Sequence, residues 1–250
     1  MTHQRTAITV LTALTLALTA CSTADDGDDE QTLRVGAAAS LTSSFEQIAE
    51  VFEAENRGVT VELQLAGSSD LAAQIQGGAD LDVFASADEP TMDEVSDSIA
   101  GEPTIFATNT LTIVTEPGNP QDITGLADLA DPDLAVVVCA PQVPCGAATR
   151  TLTDQQDVTL DPASEESKVT DVLAKVSSGE ADAGLVYVTD ATAAGPDVTT
   201  VPAEGSDAVV NRYPIAMLTG APSEEARAFI DLVTGTQGQR ILEDNGFRSP

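Results

Sequence analysis

Residues 34–45 of the chain are RVGAAASLTSSF, and this stretch contains the kind of junction from which the fold is built. The apolar run Leu33–Ala39 has the length of a buried strand and ends in three alanines. A cluster of hydroxyl side chains begins at Ser40 and leads into a predicted helix over 41–56. Small side chains at a strand end let a bound group approach the backbone, and the hydroxyls beside them are hydrogen-bond donors. The stretch therefore predicts a strand–helix junction that faces a ligand.

The same alternation continues along the rest of the chain. Short apolar runs bounded by turn residues predict strands at 32–38, 59–65, 81–86, 105–115, 134–139, 183–188 and 213–219. Amphipathic segments between them predict helices at 41–56, 70–77, 91–98, 146–156, 167–177, 223–234 and 237–245. Alternating strands and helices indicate an α/β fold with largely parallel sheets.

Two segments look like crossings between two halves of the molecule. Asn109–Pro120 continues a long apolar run into a Pro/Gly loop, and Val209–Gly220 looks like the return. We therefore predict a discontinuous first lobe, residues 32–108 together with 213–250, and a second lobe, residues 109–212, inserted into it. A chain of 250 residues is long enough for two lobes of about 100 residues each.

The N-terminus has the features of an export signal. Arg5 precedes the apolar stretch Ala7–Ala20, which is shorter than the ~20 residues that a membrane-spanning helix needs. The stretch runs through Leu-Thr-Ala into Cys21 and resembles a bacterial lipobox, so we predict a lipoprotein signal peptide over 1–20 and lipidation of Cys21. An ordinary signal peptide beside a chance cysteine is the alternative. Residues 21–31 are polar and acidic and predict a disordered tether, which would hold an exported protein at the outer face of the cytoplasmic membrane.

The charge balance excludes several classes of partner. The formal net charge is −31, from 10 basic and 41 acidic residues. Such a chain would be repelled by nucleic acid and by an anionic membrane surface. We interpret the acidity as a solvated surface, and a functional acidic patch is the alternative.

Cys139 and Cys145 are the two cysteines that remain beside Cys21. Their close spacing in an exported chain predicts a disulfide that closes a short loop. A metal site is the alternative, but the single histidine, His3, lies in the leader and leaves the pair without partners. The same absence deprives a nucleophilic cysteine of a base. We therefore predict no metal-cation site and no enzymatic activity.

Four predicted strand–helix junctions share one chemistry. They lie at Ser40, at the Gly67-Ser68-Ser69 corner, at Gly146 and at Ser167, which is a predicted N-cap. The free N–H groups of a helix start carry partial positive charge and bind anions without a basic side chain. Taken singly, each junction is better explained by ordinary helix capping. Four junctions at the carboxyl ends of strands in a two-lobed protein favour an anion site.

Five segments together resemble the substrate-binding proteins of bacterial molybdate ABC transporters. They are AAASLT, AGSSDLAAQIQGGADLDVFASAD, VPCGAATR, EADAGLVYVTDA and YPIAMLTG, and the resemblance runs from Leu33 to Phe247. It implies the two-lobed type II periplasmic-binding-protein fold, with a mostly parallel sheet flanked by helices in each lobe and the ligand in the cleft between them. It further implies that molybdate, or tungstate, is bound as the oxyanion without any cofactor and is delivered to permease subunits. Another tetrahedral oxyanion, such as sulfate or phosphate, is the alternative ligand, and we expect a monomer.

The resemblance assigns the ligand-binding residues one by one. They are Ser40, Ser68, Cys145, Val169 and Tyr187. The two serines would donate through hydroxyl and amide, with Ser69 as the neighbouring alternative to Ser68. Cys145 and Val169 would donate through backbone amides, and Tyr187 through its phenol.

Two features depart from the family pattern. Asp70 stands where the family often has a neutral residue, and we expect its carboxylate to point to solvent because it belongs to the first turn of a helix. The segment PASEES, residues 162–167, looks like an insertion before Val169. A scaffold or adhesion lipoprotein without a ligand is the remaining class of function, and an oxyanion-binding isotherm distinguishes it from a receptor.

Overall fold

The computed structural model describes residues 31–220 and 224–250. The predicted signal peptide, the predicted lipidation site Cys21 and the predicted tether, apart from Gln31, lie outside the described residues. The strands are β1 Gln31–Ala38, β2 Val59–Ala66, β3 Val83–Ala85, β4 Thr104–Asn109, β5 Leu111–Thr115, β6 Val136–Cys139, β7 Ser164–Glu166, β8 Ala183–Tyr187, β9 Thr199–Val201 and β10 Asn211–Met217. The helices are α1 Thr42–Glu55, α2 Ser68–Gln76, α3 Glu89–Asp93, α4 Pro144–Gln155, α5 Val169–Ser177, α6 Val188–Ala194, α7 Glu224–Thr234 and α8 Thr236–Asp244. Within the described ranges, no helix combines the length and the apolar character needed to cross a membrane.

The strands form two five-stranded sheets, which define lobe 1 and lobe 2. Lobe 1 has the strand order β2-β1-β3-β10-β4, and lobe 2 has the order β7-β6-β8-β5-β9. In lobe 1, β10 is antiparallel to both of its neighbours, and in lobe 2, β5 is antiparallel to both of its neighbours. The other neighbouring strands pair in parallel. Each sheet is therefore mostly parallel, as predicted, with one reversed strand beside its edge.

The two lobes have equivalent connectivity. In lobe 1 the first three strands are followed by α1, α2 and α3, and in lobe 2 the strands β6, β7 and β8 are followed by α4, α5 and α6. The reversed strand occupies the fourth position in both sheets. The strand–helix junctions of one lobe therefore have counterparts in the other.

The chain crosses from lobe 1 to lobe 2 inside the segment that we predicted to be one strand over 105–115. That prediction is wrong, because β4 ends at Asn109 and β5 begins at Leu111 in the other sheet. The return runs from β9 to β10. The lobe boundaries 32–108 with 213–250, and 109–212, stay a prediction. The strands differ from them by one or two residues, because Asn109 ends β4 and Asn211 and Arg212 begin β10, both in the lobe 1 sheet.

Three short elements were missed in the sequence. β7 and β9 are three-residue strands, and α6 begins directly after the strand that we extended to Val188. β7 contains the residues Ser-Glu-Glu and is not fully buried, so it lacks the apolar run of an internal strand. Edge strands such as β7 and β9 carry a weak sequence signal because one side faces solvent.

A connected group of aromatic rings runs through the core of lobe 1 towards lobe 2. Phe106 contacts Tyr213 with ring centroids 6.3 Å apart, and Tyr213 contacts Phe247 at 5.3 Å. Tyr213 also meets Tyr187 of lobe 2 at 6.0 Å, edge to face. Tyr187 and Tyr213 are both almost fully buried. The two tyrosines of the chain therefore join the two cores beside the crossing segments.

The start of α4 is held tightly against the end of β6. Cys139, the last residue of β6, is joined to Cys145 in the first turn of α4 by a disulfide with an S–S distance of 2.04 Å. Gly146 follows directly, and a Cβ atom there would lie 1.8 Å from the carbonyl oxygen of Ala140. The loop can close this tightly because residue 146 has no side chain.

Asp190 is a buried carboxylate in the first turn of α6. Its Oδ2 accepts a hydrogen bond of 3.1 Å from the backbone N–H of Tyr187. Burial raises the pKa of Asp190 to about 7, although the backbone hydrogen bonds from Tyr187 and from its own amide act in the opposite direction. The side chain therefore satisfies the start of α6 at the cost of a poorly solvated charge.

Replacing Gly146 by alanine is expected to reduce the free energy of unfolding by about 1–3 kcal/mol, because the new Cβ must displace the Ala140 carbonyl. Gly125→Ala is the matched control, since its backbone is extended and a Cβ there would meet nothing within 4 Å. Urea denaturation of the two variants measures the difference. Equal stability of the two variants would show that the junction can relax without cost.

Asp190 should make stability depend on pH. Its pKa is higher in the folded state, about 7, than the ~3.9 of an unfolded aspartate, so between these values the native state holds the proton that the unfolded state has released. The stabilising contribution is complete below about pH 4 and is lost as the pH rises to about 7. Asp190→Asn stays neutral and keeps an acceptor for Tyr187.

The free energy of unfolding of the wild type, relative to Asp190→Asn, should therefore fall by up to about 4 kcal/mol between pH 4 and pH 7. Denaturant titrations of both proteins at several pH values give this difference directly. A constant difference across the range would mean that the carboxylate ionises normally.

Candidate functional site

A small cavity lies between the two lobes, where the strand–helix junctions converge. It has about 20 Å³ in which the centre of a water molecule can lie, little more than the ~10–15 Å³ that one water needs. All five predicted ligand-binding residues line it: Ser40, Ser68, Cys145, Val169 and Tyr187. The structure therefore brings together residues that lie up to 147 positions apart (187 − 40) in a space suited to a small ion.

Four helix starts border this cavity, two from each lobe. The N-cap residues are Ala38, Gly67, Val143 and Lys168, and none of them makes a side-chain capping hydrogen bond. The first N–H groups of a helix have no partner within the helix, so these amides need another acceptor. Their partial positive charges add in the cavity that all four starts border, one of them a short 3-10 turn and three of them α-helices. Backbone geometry alone therefore makes the cavity favourable for an anion.

Ser68 is oriented as a donor towards the cavity. The residue is buried, and its Oγ accepts a 3.0 Å hydrogen bond from the backbone N–H of Ala87. A hydroxyl has one proton, and no other described residue accepts that of Ser68. The proton is therefore available to a bound oxygen. Ser69 is not part of the lining, and its hydroxyl donates to the carbonyl of Gln142 in lobe 2 at 3.4 Å.

Tyr187 supplies a second unengaged hydroxyl. The residue is 1% exposed, and its Oη is a buried polar atom that has no hydrogen-bond partner within the described part of the chain. Leaving such a group unpaired costs ~1–3 kcal/mol. Burial, together with nearby Tyr213, Asp88 and Asp190, raises the pKa of the Tyr187 phenol well above its usual value. The hydroxyl therefore keeps its proton and can donate it to a ligand.

Ser40 stands at the end of β1 and is hydrogen-bonded from behind. Its Oγ lies 2.9 Å from Oη of Tyr213. It belongs to the short 3-10 turn Ala39–Leu41, which leads into α1 at Thr42, so the helix begins one residue later than predicted. Cys145 and Val169 are buried and occupy the first turns of α4 and α5.

The charges around the cavity fit an anion that carries no proton. Among the described residues that line it, Lys168 alone is charged, and its Nζ is paired with Asp171 at 3.5 Å. Asp70 is exposed, as expected, and does not line the cavity. Donors without a carboxylate acceptor suit an ion whose oxygens only accept hydrogen bonds.

Two predicted details of the helix starts are wrong. The N-cap of α5 is Lys168 and not Ser167, which is exposed and makes no capping bond. α4 begins at Pro144 and not at Gly146, because proline is well suited to the first helical position. The second change places Cys145 within the first turn, where its amide has no helical partner.

Two residues that shape the site were not among the predicted ligand-binding residues, although Gly67 belongs to a predicted junction. Gly67 lies so close to lobe 2 that a Cβ atom would be 2.7 Å from the carbonyl oxygen of Ser167. Tyr213 touches Ser40 although it is 173 positions away. The segment containing Tyr213 belongs to the family resemblance, but nothing local to it indicates a partner in β1.

Comparison with known proteins agrees with this architecture. Residues 33–248 match the family described as bacterial extracellular solute-binding protein. The molybdate-binding protein ModA of Mycobacterium tuberculosis is 51% identical over 235 residues, which cover 92% of this chain and 90% of the relative. This protein is accordingly a solute-binding protein and not an enzyme, as predicted.

Solved structures confirm the predicted fold class. The periplasmic molybdate-binding protein of Azotobacter vinelandii has a TM-score of 0.70 at 22% identity, over 87% of this chain and 99% of that one. The sulfate-binding protein SubI of Mycobacterium tuberculosis has a TM-score of 0.74 at 18% identity, over 88% and 87% of the two chains. At these identities the likeness establishes the fold, and binders of different oxyanions share it. With two such lobes, an anion-suited cleft and a family match over nearly the whole described chain, the protein belongs to the bacterial extracellular solute-binding proteins.

Proposed function

We propose that this protein is a receptor for molybdate, with tungstate as its second ligand, that delivers the oxyanion to the permease of an ABC transporter. The ligand sits between the lobes and is held by Ser40, Ser68, Cys145, Val169 and Tyr187. The 51% identity to a protein named as molybdate-binding supports the choice of ion. No cofactor takes part, and the protein acts as a monomer.

One observation carries the proposal: the cavity collects hydrogen-bond donors that have no acceptor. The unpaired Tyr187 hydroxyl, the Ser68 proton and four uncapped helix starts all border the same small cavity. A cation there would meet only positive dipoles. A compact tetrahedral dianion satisfies these donors at once.

Export and anchoring complete the proposal. The lipobox-like sequence before Cys21 supports a lipid anchor, and the acidic segment after it supports a flexible tether. An anchored receptor stays near the outer face of the cytoplasmic membrane, where a permease can collect its ligand. The two lobes, with boundaries at 32–108 plus 213–250 and at 109–212, close over the ion because donors come from both.

The function is tested by titrating the purified protein with molybdate, tungstate, sulfate and phosphate in parallel by calorimetry. Molybdate should bind at least ~100-fold more tightly than phosphate near pH 7, because phosphate still carries a proton that faces donors only. Each mismatched buried group costs ~1–3 kcal/mol. Sulfate also lacks a proton, so its rejection depends on its smaller size. Tightest binding of sulfate would support the alternative oxyanion function, and no binding of any of the four would refute the receptor function.

Gly67 should be required for closure but not for folding. Its φ of −58° and ψ of 137° suit any residue, so alanine fits the backbone of lobe 1. The new Cβ would lie 2.7 Å from the Ser167 carbonyl and 3.5 Å from Cβ of Lys168, both in lobe 2. Gly67→Ala should therefore weaken molybdate binding by about tenfold or more while the free energy of unfolding of the ligand-free protein changes by less than ~1 kcal/mol.

Calorimetry and urea denaturation measure the two effects of Gly67→Ala separately. Gly125→Ala again serves as the control, because it adds the same methyl group where it meets nothing. Unchanged affinity in Gly67→Ala would mean that the lobes bind the ion without approaching as closely as this structure shows.

A further inference from the structure

We propose that Tyr213 is a positioning residue that fixes the direction of the Ser40 hydroxyl, and so makes the site selective for oxyanions without a proton. This inference rests on the proposed function and concerns a residue outside the cavity lining. Tyr213 is fully buried in β10, behind Ser40 as seen from the cleft. Its Oη lies within hydrogen-bonding distance of both Ser40 and Asn109.

The direction of the network is set at Asn109. The Oδ1 atom of Asn109 accepts a 3.0 Å hydrogen bond from the backbone N–H of Thr110. A backbone N–H can only donate, so the amide oxygen must face Thr110 and the amide nitrogen must face the other way. That nitrogen donates to Oγ1 of Thr189 at 2.8 Å and to Oη of Tyr213 at 3.5 Å. Asn109 is itself buried, so water does not replace these partners.

The Tyr213 hydroxyl has two oxygens near it besides Asn109, Oγ of Ser40 and the phenol of Tyr187. An amide nitrogen cannot accept a hydrogen bond, so the Tyr213 hydroxyl is the acceptor in its contact with Asn109. We assign the phenol proton to Oγ of Ser40, which is 2.9 Å away, because the Tyr187 oxygen is not in hydrogen-bonding geometry with any group of the described residues. Burial raises the pKa of the Tyr213 phenol, so this proton is retained over the whole physiological range.

Ser40 is the last group in the hydrogen-bonded series Asn109–Tyr213–Ser40, which we call the relay. Its Oγ accepts from Tyr213, so its own proton is free to point into the cavity. Ser68 is fixed in the same sense by the Ala87 amide. Both serine hydroxyls can thus donate to the ligand, because the oxygen of each already accepts a hydrogen bond from a group on its other side, Tyr213 for Ser40 and the Ala87 amide for Ser68. A ligand with a proton of its own, such as hydrogen phosphate, would meet two hydroxyls that are already used as acceptors.

The relay is built within lobe 1. Ser40, Asn109 and Tyr213 all belong to lobe 1, and two of their contacts reach lobe 2, that of Asn109 with Thr189 and that of the Tyr213 ring with Tyr187. The Ser40 hydroxyl is therefore directed before the lobes close. Such preorganisation removes the need to reorient the donor when the ion enters.

A double-mutant cycle distinguishes this role from simple packing. Tyr213→Phe keeps the ring and its contacts with Phe106 and Phe247 but removes the proton that directs Ser40. We expect calorimetry to show molybdate affinity lowered about three- to tenfold, and the preference for molybdate over phosphate reduced by a similar factor. In the Ser40→Ala background the same change should alter affinity less than twofold, because nothing remains to be directed.

A packing role predicts a different pattern. If Tyr213→Phe lowers molybdate affinity by the same factor with and without Ser40, or leaves both affinity and selectivity unchanged, the proposal is wrong. Thermal unfolding shows whether the variant folds. If it does not fold, the variant Asn109→Asp provides a second test. Aspartate keeps an acceptor for the Thr110 N–H, but its other oxygen accepts a hydrogen bond from the Tyr213 hydroxyl instead of donating one to it.

In the Asn109→Asp variant the relay reverses, because Ser40 must then donate to Tyr213 and face the cavity with its lone pairs. Asn109→Asp should reduce the affinity for molybdate by a larger factor than the affinity for phosphate. In the Ser40→Ala background, the substitution should reduce the two affinities by the same factor. If Asn109→Asp changes the two affinities by the same factors with and without Ser40, the relay is refuted.

The outcome for the proposed function can be told apart from the outcome for the relay. If the wild type prefers sulfate, the proposed ligand is wrong, and the same mutant cycle measured with sulfate still tests Tyr213. If no oxyanion binds, both proposals fail.

Discussion

The structure depends on one constraint: backbone amides at four helix starts are left without capping side chains, and they point at a common space. In most helices a serine or an aspartate at the N-cap position accepts a hydrogen bond from these amides. Here the N-cap positions are Ala38, Gly67, Val143 and Lys168, which make no capping bond. Small or β-extended residues at these points keep the approach to the amides open. The ligand thus completes the hydrogen bonding that the fold leaves unfinished.

The tight backbone junctions follow from the same constraint. An amide can contact an ion only if no side chain stands between them, so the chain must turn closely at each helix start. The disulfide between Cys139 and Cys145 and the absent side chain at Gly146 hold one such turn in lobe 2. The aromatic contact between Tyr187 and Tyr213 connects the two lobes behind the cavity. The disulfide, the Gly146 junction and the tyrosine contact thus all lie in or next to the elements that form the site.

The sequence predicted much of this arrangement because the features involved are local. Strand ends, helix starts and small residues follow each other within a few positions, so Ser40, Ser68 and the segment around Cys145 could be identified as junctions. The sequence did not show that β4 and β5 belong to different sheets, because both are largely buried and only Thr110 lies between them. It also could not indicate the contact of Tyr213 with Ser40, which joins positions 173 apart. Contacts of that kind depend on how the sheets assemble and leave no periodic pattern.

The equivalent connectivity of the two lobes has a consequence for the shape of the ligand. Ser40 and Cys145 follow the corresponding strands β1 and β6, while Ser68 and Val169 begin the helices after the corresponding strands β2 and β7. The proposed donors therefore fall into two pairs at equivalent positions of the two lobes. A tetrahedral ion has twofold axes that bisect its edges, so it can present two oxygens to each lobe in matching positions. A flat trigonal ion such as nitrate has no orientation that offers two oxygens to each side. In the proposed site, the duplicated architecture therefore favours a tetrahedral ion over a trigonal one, independently of the charge of the ion.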